Sequence, residues 1–349
     1  MPTRGAIGTR AILIASLAIV GFTAQSQEMS SPVGNFAPIT LVVGTPPGGG
    51  YDAYARLVAK HLGQGLPGNP SVTVQYMPGA SGTRALNHLY TQAPRDGSVI
   101  ATFNSAMAFY QRIGQPGIRY DAGELSWIGS LTRAVDTLAV WHEAGINTLE
   151  EAKTREVIVG ASGAAGVMAA YPRLMNNILG TKFKIVTGYE GGNSVLIAME
   201  RGEIHGPGNR PWSAWKAARP DWIKDHKIIP LVQLSLEKEA DLQEVPLLLE
   251  LARNDEERQM FRFLSGHTPM EQPFAGPPKL PDSVLSSFRQ AFTAMYKSRA
   301  FIDDVTRSGL DLDPGPGDQV ERLVKATLAT PQPIVDRVVV AIGGPDGTK

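Results

Sequence analysis

Short β-branched runs recur along this chain, each closed by glycine and proline and followed by a segment with helical spacing of its apolar residues. Residues 39–44 read as a strand, and residues 52–62 carry Ala53, Leu57, Val58 and Leu62 on one helical face. The step repeats with a strand at 72–76 and a helix at 83–93. A further strand at 99–103 follows the turn formed by Pro94, Arg95, Asp96 and Gly97. Beyond these, 157–160, 184–186 and 228–234 read as strands, with helices at 167–179 and 194–201; the last part is helical, at 281–297 and 319–329. Strand, loop and helix in repetition predict the α/β class, with mostly parallel sheets flanked by helices. Such sheets bind ligands at the carboxyl ends of their strands, where loops enter helices.

The N-terminus reads as an export leader. Arg4 and Arg10 precede an apolar run over 11–22, and Thr23, Ala24, Gln25 and Ser26 supply the small and polar exit. The run is far shorter than the roughly twenty residues that span a bilayer. Cleavage is expected after Ser26, followed by a flexible segment over 27–37. The chain has no cysteine, which excludes a lipid-modified N-terminal cysteine, disulfides and thiolate chemistry. The mature chain is therefore expected to be soluble in the exported compartment, without a lipid anchor. With 33 basic and 33 acidic residues, no net field draws it to nucleic acid. The six histidines are scattered without ligand spacing, so neither a metal nor another cofactor is expected.

Three strand-to-helix loops stand out. The first runs over 44–52 and contains Pro47, Gly48, Gly49, Gly50, Tyr51 and Asp52. Its glycines let backbone approach a ligand, and the helix behind it presents unpaired N–H groups that favour an anion. Asp52 is expected to cap that helix by accepting from its own N–H groups. A tight turn without a ligand is the alternative. The second loop, over 77–82, contains Gly79, Ala80 and Ser81; the third, over 160–166, contains Ala161, Ser162, Gly163 and Ala164. Ser162 is not a nucleophile elbow, because Ala164 stands where that motif needs glycine. No Gly-Lys-Ser/Thr ending follows the first loop, which disfavours a phosphate loop.

Further candidates are Asn104 and Ser105, either as ligand donors or as a helix cap. Tyr189, Glu190 and Gly191 precede another helix. Asn209, Arg210 and Trp212 combine an anion-binding side chain with an aromatic wall, although Trp212 and Trp215 also suit packing. Arg133 and Asp136 read as surface or hinge charges.

With these residues the sequence resembles a known family. The run 39–43 leading into Pro47, Gly48, Gly49, Gly50, Tyr51 and Asp52, then Met77 to Gly82 and Ala93 to Gly97, resembles the substrate receptors of tripartite tricarboxylate transporters, the Bug/TctC family. The segments 188–191, 199–203, 242–246 and 277–292 extend the likeness over nearly the whole mature chain. The resemblance implies a type II-like periplasmic-binding-protein clamshell, or Venus flytrap, of two domains with two interdomain crossings. Domain 1 would comprise 38–139 plus 258–349 and domain 2 residues 140–257. It also implies a non-enzymatic, monomeric receptor that closes on a small di-, tri- or aromatic carboxylate and hands it to membrane permease subunits.

Two departures bear on that expectation. Residues 161–168 lack the polar Ser/Thr-rich loop and nearby histidine of many relatives. Glu190 stands where an uncharged residue or lysine is common, so it points away from the ligand, or the ligand's distal end is neutral or amine-bearing. A sensor subunit serving a kinase remains an alternative on the same fold. A hydrolase or oxidoreductase is the least favoured, since neither a triad nor a dinucleotide fingerprint is present.

Overall fold

The computed structural model describes residues 1–3 and 34–345. Beyond its first three residues the expected leader lies outside them, as does most of the segment 27–37. Phe36, from the end of that segment, packs edge-on against Phe288 with ring centres 5.2 Å apart.

The strands are β1 (Ile39–Val43), β2 (Val72–Tyr76), β3 (Val99–Thr102), β4 (Ser126–Thr132), β5 (Asp136–Trp141) and β6 (Val157–Ala161). They continue with β7 (Phe183–Thr187), β8 (Gly206–Pro207), β9 (Arg210–Pro211), β10 (Ile228–Gln233), β11 (Glu271–Gly276) and β12 (Gly315–Pro316). The helices are α1 (Gly50–His61), α2 (Thr83–Thr91), α3 (Met107–Arg112), α4 (Glu151–Thr154), α5 (Val167–Leu179), α6 (Gly192–Glu200) and α7 (Trp212–Ala218). After these come α8 (Pro220–Lys224), α9 (Asp255–Ser265), α10 (Asp282–Lys297), α11 (Arg299–Arg307), α12 (Gly317–Leu328) and α13 (Gln332–Ala341).

A six-stranded sheet has the order β12-β4-β11-β3-β1-β2. β1 pairs in parallel with β2 and β3, whereas β11 runs antiparallel to both β3 and β4. A second sheet, β7-β6-β8, is parallel, and a third, β10-β5-β9, is antiparallel. The chain leaves the six-stranded sheet after Thr132 and re-enters it at Glu271, so that sheet is built from both ends of the sequence.

Position in the sheet explains each strand's composition. β1 lies inside the sheet and is buried on both faces, so Ile-Thr-Leu-Val-Val reads as a near-continuous apolar run. Its residues still alternate between two cores. Ile39, Leu41 and Val43 join Tyr54, Val58 and Phe292 on one side, while Val42 joins Phe103 and Trp127 on the other. β2 is an edge strand, and its alternate residues are exposed. A third core gathers Val195, Met199, Trp212, Trp215 and Trp222 around Ala139 of β5. Among the described residues no helix is long and apolar enough to cross a membrane.

Candidate functional site

The glycine-rich loops lie at the carboxyl ends of β1, β2, β6 and β7. After β1, Gly44 is wedged so tightly that a β-carbon there would sit 3.2 Å from Phe103 Cβ and 3.3 Å from Gly82 Cα. Pro47 through Gly50 are exposed. The amides of Gly50, Tyr51 and Asp52 meet no protein acceptor among the described residues, and they open a twelve-residue helix. This is the arrangement that favours an anion.

Asp52 is not the cap that the sequence predicts. The N-cap is Gly49, and Asp52, in the first turn, reaches back so that its Oδ2 accepts the Gly48 N–H at 2.8 Å. Its Oδ1 accepts from Arg56 Nε at 2.8 Å and from the Tyr76 hydroxyl at 2.5 Å. Burial pushes this carboxyl up, but the Tyr76, Gly48 and Arg56 hydrogen bonds together hold it below the ordinary range. Asp52 is thereby committed to fixing the loop.

The second loop has an unusual backbone. Gly79, Ala80, Ser81 and Gly82 have φ of 137°, 47°, 55° and 97° in succession. Ala80 and Ser81 both lie in the left-handed region, which costs on the order of 1 kcal/mol or more for each residue bearing a β-carbon. Both are exposed. The third predicted loop faces this one: a β-carbon at Gly166 would lie 3.8 Å from Ser81 Oγ and 3.9 Å from the Tyr110 hydroxyl. The first amide of α5, from Val167, donates to that hydroxyl at 3.2 Å. Arg173 secures the loop from behind, donating to the Ala164 carbonyl at 2.5 Å. Ser162 is exposed, Ala161 buried, and Gly163 has open space where a side chain would stand.

Of the remaining candidates, Asn104 acts as a local cap, its Oδ1 accepting the Ala106 N–H at 2.8 Å. Ser105 is buried and donates its hydroxyl to Glu271. The Tyr51 hydroxyl donates to the same carboxyl at 2.6 Å. Tyr189 lies against Gly160, its Cε2 3.1 Å from where a β-carbon would be. Glu190 is exposed. Gly191 is the N-cap of α6, held by the Ser194 hydroxyl, which donates to the Gly191 carbonyl at 2.8 Å. Among the described residues, the next three amides, of Gly192, Asn193 and Ser194, meet no protein acceptor.

Arg210 lies beside this helix start. Its Nη1 is 3.3 Å from the point a Gly192 β-carbon would occupy. Its Nη2 donates to the Ala214 carbonyl at 3.0 Å, and its buried Nε has no acceptor. Burial alone pushes the guanidinium down to about 10. Asn209 is turned inward, donating to Asp136 at 2.6 Å. Trp212 and Trp215 are 4% and 0% exposed, and the Trp215 ring lies against the Arg210 guanidinium.

Of the two readings of Asp136 from the sequence, surface or hinge charge, the surface one does not hold. Asp136 is buried, between Asn209 and His267, whose Nε2 lies 3.8 Å away. Arg133 is exposed and pairs with Asp313 at 2.5 Å. Glu271 escaped the sequence reading, because nothing local marks a lone acid ahead of a short strand containing proline. A groove of about 700 Å³ between α10 and the start of α12, lined by Leu285, Arg289 and Pro316, shares no residue with these loops. No group of three or more metal-ligating side chains occurs among the described residues.

No family model matches the chain, and no curated protein matches its sequence. Solved structures do match. A TctC solute-binding protein from Polaromonas is 18% identical, with a TM-score of 0.62 over 86% of this chain and 98% of that one. An R. palustris protein with adipate is 20% identical, with a TM-score of 0.64 over 87% and 97%. MatC from Rhodopseudomonas palustris with bound malate is 17% identical, with a TM-score of 0.64 over 86% and 99%. The chain thus has the α/β fold of the TctC-type periplasmic solute-binding proteins.

Proposed function

We propose that this protein is a periplasmic receptor that captures a small carboxylate and delivers it to a membrane permease of the tripartite tricarboxylate type. The ligand lies between the loops that follow β1, β2 and β3 and those that follow β6, β7 and β8. In this reading the two sets belong to two domains, 38–139 with 258–349 and 140–257, which close on the ligand.

The observation that carries the reading is Arg210. A half-buried guanidinium whose Nε is withdrawn from water is commonly matched by a carboxylate, since an unpaired charge in such a place costs stability. Here burial pushes its ionisation down, and no acidic side chain pairs with it among the described residues. The neighbouring α6 start adds free amides of the same electrostatic sign. The α1 start offers a second such set beside Gly48 and Gly49, suited to a ligand with acid groups at both ends. Glu190, being exposed, is compatible with a charged distal end. Two proteins of the same fold hold dicarboxylates, adipate and malate. The side chains are arranged to bind, and the protein releases its ligand unchanged.

Thermal-shift measurements against mono-, di- and tricarboxylates, aromatic acids and amino acids test this. A ligand at a hundred times its dissociation constant stabilises by about 2.7 kcal/mol. A shift with a carboxylate, lost when Arg210 is replaced, is the expected outcome. A response confined to amino acids or uncharged solutes would overturn it.

A further inference from the structure

Glu271 stands where three stretches of chain meet. It opens β11, at the point where the chain returns to the six-stranded sheet, and pairs across to Thr132 of β4. Its Oε1 accepts the Tyr51 hydroxyl at 2.6 Å, and its Oε2 accepts the Ser105 hydroxyl. The Ser105 amide in turn donates to the Tyr51 oxygen at 3.2 Å. Glu271, Tyr51 and Ser105 therefore form a closed ring of hydrogen bonds. Tyr51 is the second residue of α1, just past Gly49 and Gly50, and Ser105 follows β3. One carboxyl group thus ties two of the ligand-facing loops to a single strand.

The ring contains no cation. Burial pushes the Glu271 carboxyl up, its bonds from Ser105 and Tyr51 oppose this, nearby Asp136 adds to the rise and His267 counters it. His267 donates from Nδ1 to the Leu264 carbonyl at 2.9 Å, which leaves Nε2 toward Asp136. The other titratable groups packed around the ring are Tyr54 of α1, Tyr110 of α3 and Tyr171 of α5. A half-buried acid held by neutral donors, with its carboxyl withdrawn from water, costs stability that an apolar side chain of its size would not. Packing alone does not account for it.

We propose that Glu271 is a positioning residue for ligand capture, its carboxyl clamping Tyr51 and Ser105 so that the α1 amides and the loop after β3 keep the geometry that receives the ligand. This rests on the reading that those loops hold the ligand's acid group. Ionised, Glu271 accepts from both hydroxyls. Protonated, it must donate to one of them, and one arm of the clamp reverses. Capture therefore follows the protonation state of a group that never touches the ligand.

Amide exchange of the ligand-free protein, followed by mass spectrometry, tests the clamp directly. Glu271→Leu should speed exchange severalfold over 47–56 and 103–107 and leave 157–187 as in the wild type. Tyr51→Phe should loosen only the first segment and Ser105→Ala only the second; if Glu271→Leu does not fold, these two decide. Affinity for adipate and malate, measured across pH 5 to 8, tests the consequence. Tyr51→Phe should weaken it about tenfold, and Glu271→Gln, which cannot ionise, should leave only the pH dependence that the two acids' own titration imposes. Unchanged exchange in the single-hydroxyl variants, equal acceleration everywhere, or an unaltered profile in Glu271→Gln overturns the proposal. If neither acid binds the wild type while exchange behaves as expected, the clamp stands and the capture reading takes the loss.

Discussion

The guanidinium carbon of Arg210 stands 5.2 Å from the centre of the Trp215 ring, and that ring face is the counterpart of a cation that has no acid beside it among the described residues. Such a contact contributes on the order of 1–2 kcal/mol when desolvated. Arg210 is thus a half-buried cation whose missing acid partner an anionic ligand would supply. Arg210→Met keeps an unbranched, though shorter, side chain and removes the charge. Its melting temperature without ligand should equal or exceed that of the wild type, while affinity for a dicarboxylate should drop at least about tenfold. Calorimetry of both proteins checks the two signs together; loss of stability with unchanged affinity would make Arg210 a packing residue.

Gly49 offers the complementary test. A β-carbon there meets nothing within 4 Å, and its φ of −97° suits any residue. Gly49→Leu should therefore fold, losing about 1 kcal/mol for the poorer helix cap. Its side chain would stand in front of the free amides of Gly50 and Tyr51, and carboxylate binding should be abolished. Retained affinity in titration calorimetry would remove this loop from the site.

How far the sequence revealed this depends on how locally each feature is encoded. Helix 167–179 was readable to the residue because Gly166 and Gly180 bracket its apolar period, and Gly180 ends it in the left-handed conformation. The glycine loops were readable for the same reason. β4 was not: Ser126, Gly129, Ser130 and Thr132 interrupt its apolar pattern, although every residue in it is buried. Arg210 was legible as a cation, but its lack of an acid partner is a property of the packed structure. Glu271 was illegible because its partners Tyr51 and Ser105 lie 220 and 166 positions away.

Asp304 governs the acid stability of the α1–α11 contact. Lys60 donates to its Oδ2 at 2.6 Å, His61 contacts the same oxygen at 2.8 Å, and Arg307 reaches Oδ1 at 2.7 Å. The hydrogen bonds from Lys60 and His61 hold this carboxyl well below the ordinary range. Because its folded value is depressed, its contribution is present above the unfolded carboxylate value near 4 and is lost as pH falls through the folded one. Asp304→Asn should lower the melting temperature by several degrees at pH 7, and the gap from the wild type should narrow below pH 4. A difference that does not vary with pH would show that the residue acts through packing alone.

Gly129 decides whether β4 can sit beneath α10. A β-carbon there would fall 2.6 Å from Phe292 Cε1 and 3.0 Å from the Gly315 carbonyl oxygen of β12. Phe292 is 1% exposed and packs against Phe274 with ring centres 5.4 Å apart, so it has nowhere to move. Gly129→Ala should destabilise by about 1–3 kcal/mol through overpacking. Shortening the ring in Gly129→Ala with Phe292→Leu should recover part of that loss, because one of the two clashes is then relieved, while the contact with the Gly315 carbonyl remains. Urea unfolding of the two single variants and the double variant measures the coupling. Strict additivity would show that the strand shifts away from α10 rather than pressing on Phe292, and that the glycine is required by β12 alone.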